Sequence, residues 1–347
     1  MFDAKAGVKK MEPSGIDVVV CDVKLPYEVA SNFQKPPKQN IPKQKLFCLP
    51  LMVKYSWRFT GYKNGAFDYI TKGDNNNKII PLTNNAVETM AEIIFPTELH
   101  RRVTSVIKDF FLKQNGIDTI LLVNSLARGK ATPESDIDIA VLVFETATNE
   151  QKASLDSKWL DFRTSNPTLS QYTNSNQFAQ IHVDIIDGVF TPAVWEDGGS
   201  VDFFEVEIGN RLLYCAPLID EGKYFKKLKS VWLPYYDSSL QIQRLELARQ
   251  ACHYELGHVL IFMKRGLYFQ AFDRLYVAFQ KFLQTLFIKH KTYPIAYNKW
   301  IKEQVVEILN LPGLYKELPS IISVNNIESD ELIDKAKTLH TLLEQYC

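Results

Sequence analysis

The sequence lacks an excess of charge of either sign, an apolar run long enough to cross a membrane, and any tract of low complexity. Its 40 basic and 40 acidic residues cancel to a net charge of +0, whereas proteins that bind the nucleic-acid backbone usually carry a basic excess. We therefore expect no long nucleic-acid partner. No stretch approaches the roughly 18 apolar residues that a membrane-spanning helix requires, so we expect no membrane partner either.

Cysteines are few and lie at scattered positions. The five of them (Cys21, Cys48, Cys215, Cys252 and Cys347) form no CxxC pair and show no zinc-like spacing, which predicts reduced thiols. The first residues, "MFDAKAGVKKMEPSG", lack the apolar centre of a signal peptide. We therefore expect a soluble, cytoplasmic protein, and nothing in the pattern indicates its oligomeric state.

The chain does contain enough apolar sequence for two or three globular domains, with 46% hydrophobic and 23% charged residues among 347. Residues 92–216 alternate between helical and strand patterns. "PTELHRRVTSVIKDFFLKQNG" predicts a helix that stops before Gly116, and "DTILLV", "DIDIAVLVF" and "FAQIHVDIID" predict three strands. The polar stretch 148–177 predicts a helix early and an Asn/Ser/Thr-rich loop later. We therefore assign residues 92–216 to an α/β domain.

From about residue 220 the pattern is helical to the end, and we assign residues 217–347 to an all-α domain. Apolar residues repeat every three or four positions in two stripes (Leu245, Ala248, Cys252, Leu256, Val259 and Met263; Phe272, Tyr276, Phe279 and Phe282). Such stripes are typical of core packing. The segment "KTYPIAYNKW", residues 291–300, predicts a new helix after Pro294.

Two carboxylates stand at the start of a strongly apolar strand in "NSLARGKATPESDIDIAVLV", residues 124–143. Residues two apart in a strand point to the same face, so Asp136 and Asp138 lie side by side. They repel each other unless a cation separates them, and Mg²⁺ prefers such oxygen ligands. Asp184 in "HVDIID" offers a third carboxylate for a two-metal site, while Asp187 points to the opposite face.

The residues just upstream fit a phosphate group. Asn124 and Ser125 follow a strand and open a short segment that contains Gly129. A strand-to-helix turn of this kind presents backbone N–H groups to phosphate, and the Ser125 hydroxyl can add a hydrogen bond. A phosphate-binding turn with three carboxylates predicts metal-assisted attack on a nucleotide α-phosphate.

This segment resembles the signature of the polymerase-β-type nucleotidyltransferases, in which Gly-Ser is followed about ten residues later by Ser-Asp-x-Asp. The matching positions are Ser125, Ala127, Arg128, Gly129, Pro133, Ser135, Asp136 and Asp138. The resemblance implies that Asp136, Asp138 and Asp184 are catalytic and hold two Mg²⁺ ions. It implies a nucleotide-binding role for a second group of residues (Asn124, Ser125, Arg128, Gly129 and Ser135).

One position departs from the signature, because Asn124 replaces the glycine that precedes the serine. Asparagine adopts left-handed backbone more readily than most residues, so we expect the turn to be kept. The resemblance also implies the fold class, an α/β (α+β) core with a mixed sheet, followed here by the all-α domain.

The resemblance implies transfer of a nucleoside monophosphate to an acceptor hydroxyl with release of pyrophosphate. Family precedent makes ATP the expected donor. "KTYPIAYNKW" is similar to Tyr-Pro and Lys-Trp segments in the helical domains of antibiotic nucleotidyltransferases, which favours a small-molecule acceptor over a protein.

Two alternatives stay open. Minimal nucleotidyltransferases of similar signature act as antitoxins that transfer AMP to a helical protein partner, and a silent nucleotide-binding protein would keep the pocket without turnover. The helical partners of those antitoxins carry an Arg, polar residues and then a His. "RQACHYELGH" offers Arg249, His253 and His258, but the spacing fits poorly and lacks the HExxH order of a metalloprotease. We interpret both histidines as ordinary helix residues.

Residues 1–91 read as a degenerate α/β fragment of a response-regulator receiver. "GIDVVVCDVKLP" resembles its third strand, with Asp22 at the phosphoacceptor position, and residues 63–90 resemble its last strand and helix, with Lys72 at the lysine position. The intervening "NIPKQKLFCLPLMVKYSWRFTG" fits neither strand nor helix. The acidic pair beside Asp22 is missing, so we expect no phosphorylatable receiver.

The genetic code suggests an explanation for that intervening segment. One choice of codons for residues 39–53, read two bases on, gives KYPETEIVLLTAYG, which resembles the fourth receiver strand with its switch threonine. We therefore hypothesise that about residues 30–62 are translated out of frame. The N-terminal part would then be either a remnant of a receiver or the result of a sequencing artefact. The DNA sequence around these codons tests the hypothesis.

Overall fold

The computed structural model describes the backbone of residues 18–22, 45–49 and 68–69, and residues 93–347 except 176 and 194–199. The chain divides into two units, Met1–Ile94 and Phe95–Cys347.

The first unit contains three parallel strands, β1 (Val18–Asp22), β2 (Lys45–Leu49) and β3 (Asp68–Tyr69), hydrogen-bonded in that order. Strand β2 corrects the expectation that the segment around it fits neither strand nor helix. Its sequence, KLFCL, is a short apolar run between Pro42 and Pro50, and a run bounded in this way is compatible with a strand. Lys72 and most of residues 30–62 lie outside the described residues.

The second unit contains a four-stranded mixed sheet of order β6-β5-β4-β7. Its strands are β4 (Ile117–Leu122), β5 (Ile137–Val143), β6 (Ile181–Ile186) and β7 (Ala216–Pro217). Strand β5 pairs with β6 in parallel and with β4 antiparallel, and β4 pairs antiparallel with β7. The central strands β4 and β5 are almost wholly buried, as their continuous apolar sequences predict. The predicted mixed sheet is confirmed.

Four helices accompany these strands: α1 (Glu98–Phe111), α2 (Asn124–Ala127), α3 (Asn149–Ser165) and α4 (Pro167–Thr173). Side chains that accept backbone N–H groups cap three of them at the N-terminus, Thr97 on α1, Thr148 on α3 and Asn166 on α4. Helix α4 corrects the predicted loop. Asn166 caps it and Pro167 stands at its first position, where proline's fixed φ and missing N–H suit a helix.

The rest of the second unit is helical, as predicted. It contains α5 (Phe204–Ile208), which continues into a π-helical turn (Gly209–Leu213), then α6 (Lys223–Trp232), α7 (Ser238–Lys264), α8 (Tyr268–Lys289), a second π-helical segment (Glu303–Ile308), α9 (Pro312–Ile322) and α10 (Glu331–Tyr346). Helices α7 and α8 share one core with α9 and α10. Among the described residues, no helix combines the length and the apolar character needed to cross a membrane.

The predicted helix after Pro294 is wrong, because helical structure starts only at Ile301. Residues 294–300 form a loop that the buried Gln304 side chain holds together. Its amide oxygen accepts the N–H groups of Ile295 and Ala296, and its amide nitrogen donates to the carbonyls of Ala296 and Lys299. These four bonds satisfy backbone groups that a helix would otherwise have paired.

Candidate active site

The three predicted carboxylates share one face of the sheet. Asp136 immediately precedes β5, and Asp138 is the second residue of that strand. In the parallel register between β5 and β6, Asp138 stands opposite His182 and Ala140 stands opposite Asp184. Because alternate residues of a strand face the same side, Asp136, Asp138, His182 and Asp184 project from the same surface. The sheet therefore brings together the carboxylates that the sequence predicts.

A buried network fixes the backbone in front of the Asp pair. The carbonyl oxygen of Ser135 accepts the Tyr172 hydroxyl at 2.6 Å and Nε2 of His100 at 3.1 Å. His100 and Tyr172 are each only 1% exposed, and Nδ1 of His100 lies 2.7 Å from Oγ1 of Thr97, the cap of α1. A carbonyl can only accept, so Nε2 carries the proton and Nδ1 accepts from the threonine.

The carboxylate of Asp136 is itself anchored. The backbone N–H of Gln180, next to β6, donates to Oδ1 of Asp136 at 3.0 Å. Oδ2 of the same carboxylate lies 3.9 Å from Nε2 of His182. These contacts and the Ser135 network hold Asp136 in place on both its backbone and its side chain.

Asn124, the residue that replaces the signature glycine, adopts left-handed backbone with φ 59°. The turn is thus kept, as expected for an asparagine at this position. Its side chain donates a hydrogen bond to the carboxylate of Asp138. Burial raises the pKa of Asp138, and the negative charge of Asp136 acts in the same direction, whereas the bond from Asn124 and the charges of His182 and Lys299 lower the pKa.

Ser125, Gly129 and Ser135 surround the same turn. Ser125 lies in α2, directly after Asn124, and Gly129 ends the turn with φ 66°, a conformation that glycine adopts without steric cost. The Ser135 hydroxyl accepts the N–H of Thr132 at 2.9 Å. The hydroxyl of Ser135 therefore shapes the loop that leads into the Asp pair.

Arg128 faces the helical part of the chain. Its side chain is 7% exposed, with Nε 3.4 Å from Oε1 of Glu303, and the guanidinium lies over the ring of Trp300 at 5.0 Å. Among the described residues, none offers a hydrogen-bond partner to its Nη2 atom. Trp300 holds left-handed backbone with φ 59°, which is unusual for a bulky residue and is typical of functional sites.

Asp184 lies at the edge of the sheet, and its side chain is 66% exposed. The Arg211 guanidinium approaches it at 3.7 Å and also lies 3.6 Å from Glu207. Beside Asp184 there is an open cavity of about 230 Å³, lined by residues of α3 and β6 that include Trp159, Arg163 and His182. The third carboxylate therefore lies at the rim of a cavity whose other wall is α3, the helix that bonds to Asp187 through Lys152.

Asp187 plays a different part from Asp184. It bonds to Nζ of Lys152 in α3 at 2.6 Å and accepts the N–H of Val189. The bond from Lys152 holds the pKa of this carboxyl below its usual value. Asp187 thus ties the end of β6 to a neighbouring helix.

Sequence reasoning missed several residues of this site. His100, Tyr172, Arg211 and Trp300 all lie outside the signature, and each reaches the site from a separate helix or loop. The sequence contained a signal for one of them. Trp300 and its neighbour Lys299 belong to the segment "KTYPIAYNKW", which is similar to segments of antibiotic nucleotidyltransferases.

Comparison with known protein families identifies the strands that carry this site. Residues 105–187 match the family model "Polymerase beta, Nucleotidyltransferase". The match covers β4, β5 and β6 with all three carboxylates, and it confirms the predicted polymerase-β-type nucleotidyltransferase domain in this segment of the chain. The comparison with curated proteins gives no match.

Proposed function

We propose that the polymerase-β-type nucleotidyltransferase domain of this chain transfers AMP from ATP to a hydroxyl of a small-molecule acceptor, with Mg²⁺ as its metal. The observation that carries the proposal is the shared face of Asp136, Asp138 and Asp184 beside a kept strand-to-helix turn. A domain of this superfamily at residues 105–187 supports nucleotidyl transfer in general.

The donor set suits Mg²⁺. Three carboxylates on one face supply hard oxygen ligands. Burial above all, and to a smaller extent the charge of Asp136, raises the pKa of Asp138, and a cation between the two carboxylates would offset both effects. Asp136, Asp138 and Asp184 would hold the metal. When bound, Mg²⁺ supplies positive charge that offsets the negative charge of the phosphates.

The protein's own residues bind and orient the reactants. The turn at Asn124 and Ser125 offers backbone and hydroxyl donors to the terminal phosphates of ATP. The acceptor oxygen forms a bond to the α-phosphorus, the bond from that phosphorus to the bridging oxygen breaks, and pyrophosphate leaves with the electron pair. Asp184, which is exposed and borders the cavity, takes the proton of the acceptor hydroxyl.

The surroundings of the site support a small acceptor. The cavity of about 230 Å³ beside Asp184 is smaller than the roughly 300–1,000 Å³ of most small-molecule sites, so it has room for only part of an acceptor. Lys299 acts electrostatically on Asp138 and Trp300 packs on Arg128, so the loop 294–300 borders the signature residues. These contacts bring the loop next to Arg128 and Asp138, whereas the cavity that we propose for the acceptor is lined by α3 and β6.

Calorimetric titration of ATP in the presence of Mg²⁺ is the first test. We expect wild type to bind ATP and the Asp136→Asn/Asp138→Asn variant to lose the binding. Asp109→Asn is the matched control, because Asp109 is an exposed carboxylate of α1 that pairs with its neighbour Lys108. Absence of ATP binding by wild type would contradict the proposal.

The acceptor is tested separately with labelled ATP. We expect label to appear on a small hydroxylated compound, with aminoglycosides and lincosamides as the first classes to be surveyed, together with pyrophosphate release that Asp138→Asn abolishes. Transfer of label to a co-encoded helical protein, with none to small molecules, would replace this acceptor class with the antitoxin-type alternative.

A further inference from the structure

A cluster of metal-ligating side chains lies on the helical part of the chain, among residues that the proposed reaction does not use. His253 of α7 and His340 and Glu344 of α10 each offer one ligand atom, and these atoms all lie within 4.8 Å of one another. Nε2 of His253 is 3.3 Å from Oε1 of Glu344. The two imidazole centroids are 5.1 Å apart.

The positions of these residues suit a shared ion. His340 and Glu344 are four residues apart on α10, and side chains at that spacing lie one above the other on a helix. His253 completes the set from α7, which packs against α10 through buried side chains that include Leu256, Leu339 and Leu343. Because the helix cores fix both backbones, little rearrangement is needed for the three ligand atoms to converge.

The carboxylate is already oriented by a further contact. The Arg249 guanidinium, one turn before His253 on α7, bonds to Oε2 of Glu344, which leaves Oε1 directed at His253. Hydrogen bonds of this kind orient metal-ligating carboxylates in known sites.

We propose that His253, His340 and Glu344 form a binding site for a divalent transition metal of the Zn²⁺ class. Two imidazoles and one carboxylate are ligands that zinc accepts, whereas Mg²⁺ prefers oxygen ligands alone. The half-exposed position of the cluster leaves a fourth ligand place open to water. The bound ion joins α10 to α7, so it stabilises the end of the helical part of the chain.

The proposal replaces the sequence-based interpretation of His253 as an ordinary helix residue. His258, the other histidine of that segment, bonds through Nδ1 to the carbonyl of Tyr254 at 2.9 Å and takes no part in the cluster. The two histidines of "RQACHYELGH" thus differ in what surrounds them.

Zinc titration of the full chain, after dialysis against a chelator, tests the site. Excess Mg²⁺ is present throughout so that the carboxylates of the sheet are occupied. We expect one saturable Zn²⁺ site in wild type and a rise of the thermal unfolding temperature on addition of Zn²⁺. We expect His253→Ala and His340→Ala to lose both effects and His258→Ala to keep both.

Glu344→Gln guards against a variant that simply fails to fold, because the change is nearly isosteric at an exposed position. We expect it to bind Zn²⁺ at least tenfold more weakly while its circular dichroism spectrum without metal matches that of wild type. Zinc binding that is unchanged in both histidine variants, or no saturable binding by wild type, would overturn the proposal.

Discussion

The Asp136–Asp138 pair and the third carboxylate, Asp184, differ in how firmly the protein holds them. Asp136 and Asp138 are fixed by the Gln180 N–H, by the Asn124 side chain and by a Ser135 carbonyl that two buried residues hold. Asp184 is 66% exposed, and within the part of the chain that the structure describes its one ion-pair partner is the Arg211 guanidinium, at 3.7 Å. Preorganised groups lose little freedom when a ligand binds. The protein therefore holds Asp136 and Asp138 in position by itself, whereas the exposed Asp184 has room to reorient when a ligand binds.

The largest expected effect concerns the contribution of Asp184 to turnover, as opposed to stability. Asp184→Asn should lower the rate of pyrophosphate release by about 10²- to 10³-fold, the loss typical of one charge-stabilising group. Its free energy of unfolding should change by less than about 0.5 kcal/mol, because an exposed side chain carries little stability. Enzyme assay and urea titration measure the two quantities. A large loss of stability would show that Asp184 is as firmly held as the pair.

The second effect concerns the turn beside Asp138. Asn124→Ala should lower the free energy of unfolding by about 2 kcal/mol, because alanine loses the bond to Asp138 and strains at φ 59°. Asn124→Gly, the matched variant, relieves the strain and loses only the bond. We therefore expect Ala to be less stable than Gly by about 1 kcal/mol in urea titration. Equal stability of the two would contradict the left-handed backbone.

The third effect concerns the network in front of Asp136. Tyr172→Phe removes one of two donors to the Ser135 carbonyl. Since His100 still donates, the free energy of unfolding should fall by only about 1 kcal/mol. Tyr276→Phe, in α8 and outside this network, is the control and should show a smaller change. A loss above about 3 kcal/mol would mean that the His100 bond does not survive without the tyrosine.

The smallest effect belongs to Asp187, the carboxylate that lies three residues after Asp184 and is tied to Lys152. The pKa of Asp187 is lower in the folded than in the unfolded protein. The Asp187–Lys152 pair therefore stabilises the fold at pH values above the unfolded pKa of about 3.9. This contribution is lost as the pH falls through the folded pKa. Asp187 is 41% exposed, so the contribution is at most about 1 kcal/mol. Lys152→Met should remove it at pH 7 and have no effect at about pH 2. An equal loss at both pH values would contradict the ion pair.

The sequence allowed prediction of whatever depends on local pattern. The strands β4, β5 and β6 follow from short apolar runs, and the alternation of side chains at the start of β5 places Asp138 on the same face as Asp136, which immediately precedes the strand. Where the prediction failed, a longer-range contact or a cap decided the outcome. Asn166 and Pro167 started α4 inside a polar stretch, and Gln304 organised residues 294–300 as a loop.

The residues that support the site could not be predicted from the sequence, because they act through long-range contacts. His100 and Tyr172 meet Ser135 only when α1 and α4 pack beside β5. Arg128 and Glu303 are 175 positions apart along the chain, so no local window contains both. The signature indicates which residues carry the chemistry, but the contacts that orient them depend on tertiary packing.

Strand β7 limits where the chain can be cut. Its two residues, Ala216 and Pro217, pair with β4, and the carboxylate of Asp118 on β4 accepts the N–H groups of Tyr224 and Phe225 at the start of α6. A chain truncated at residue 216, where the pattern changes from mixed to helical, would divide β7 and leave a buried carboxylate without those donors. A fragment that ends at Trp232 would keep these donors but would leave the buried Glu205 of α5 without Arg244 of α7, so the sheet depends on the long helices as well.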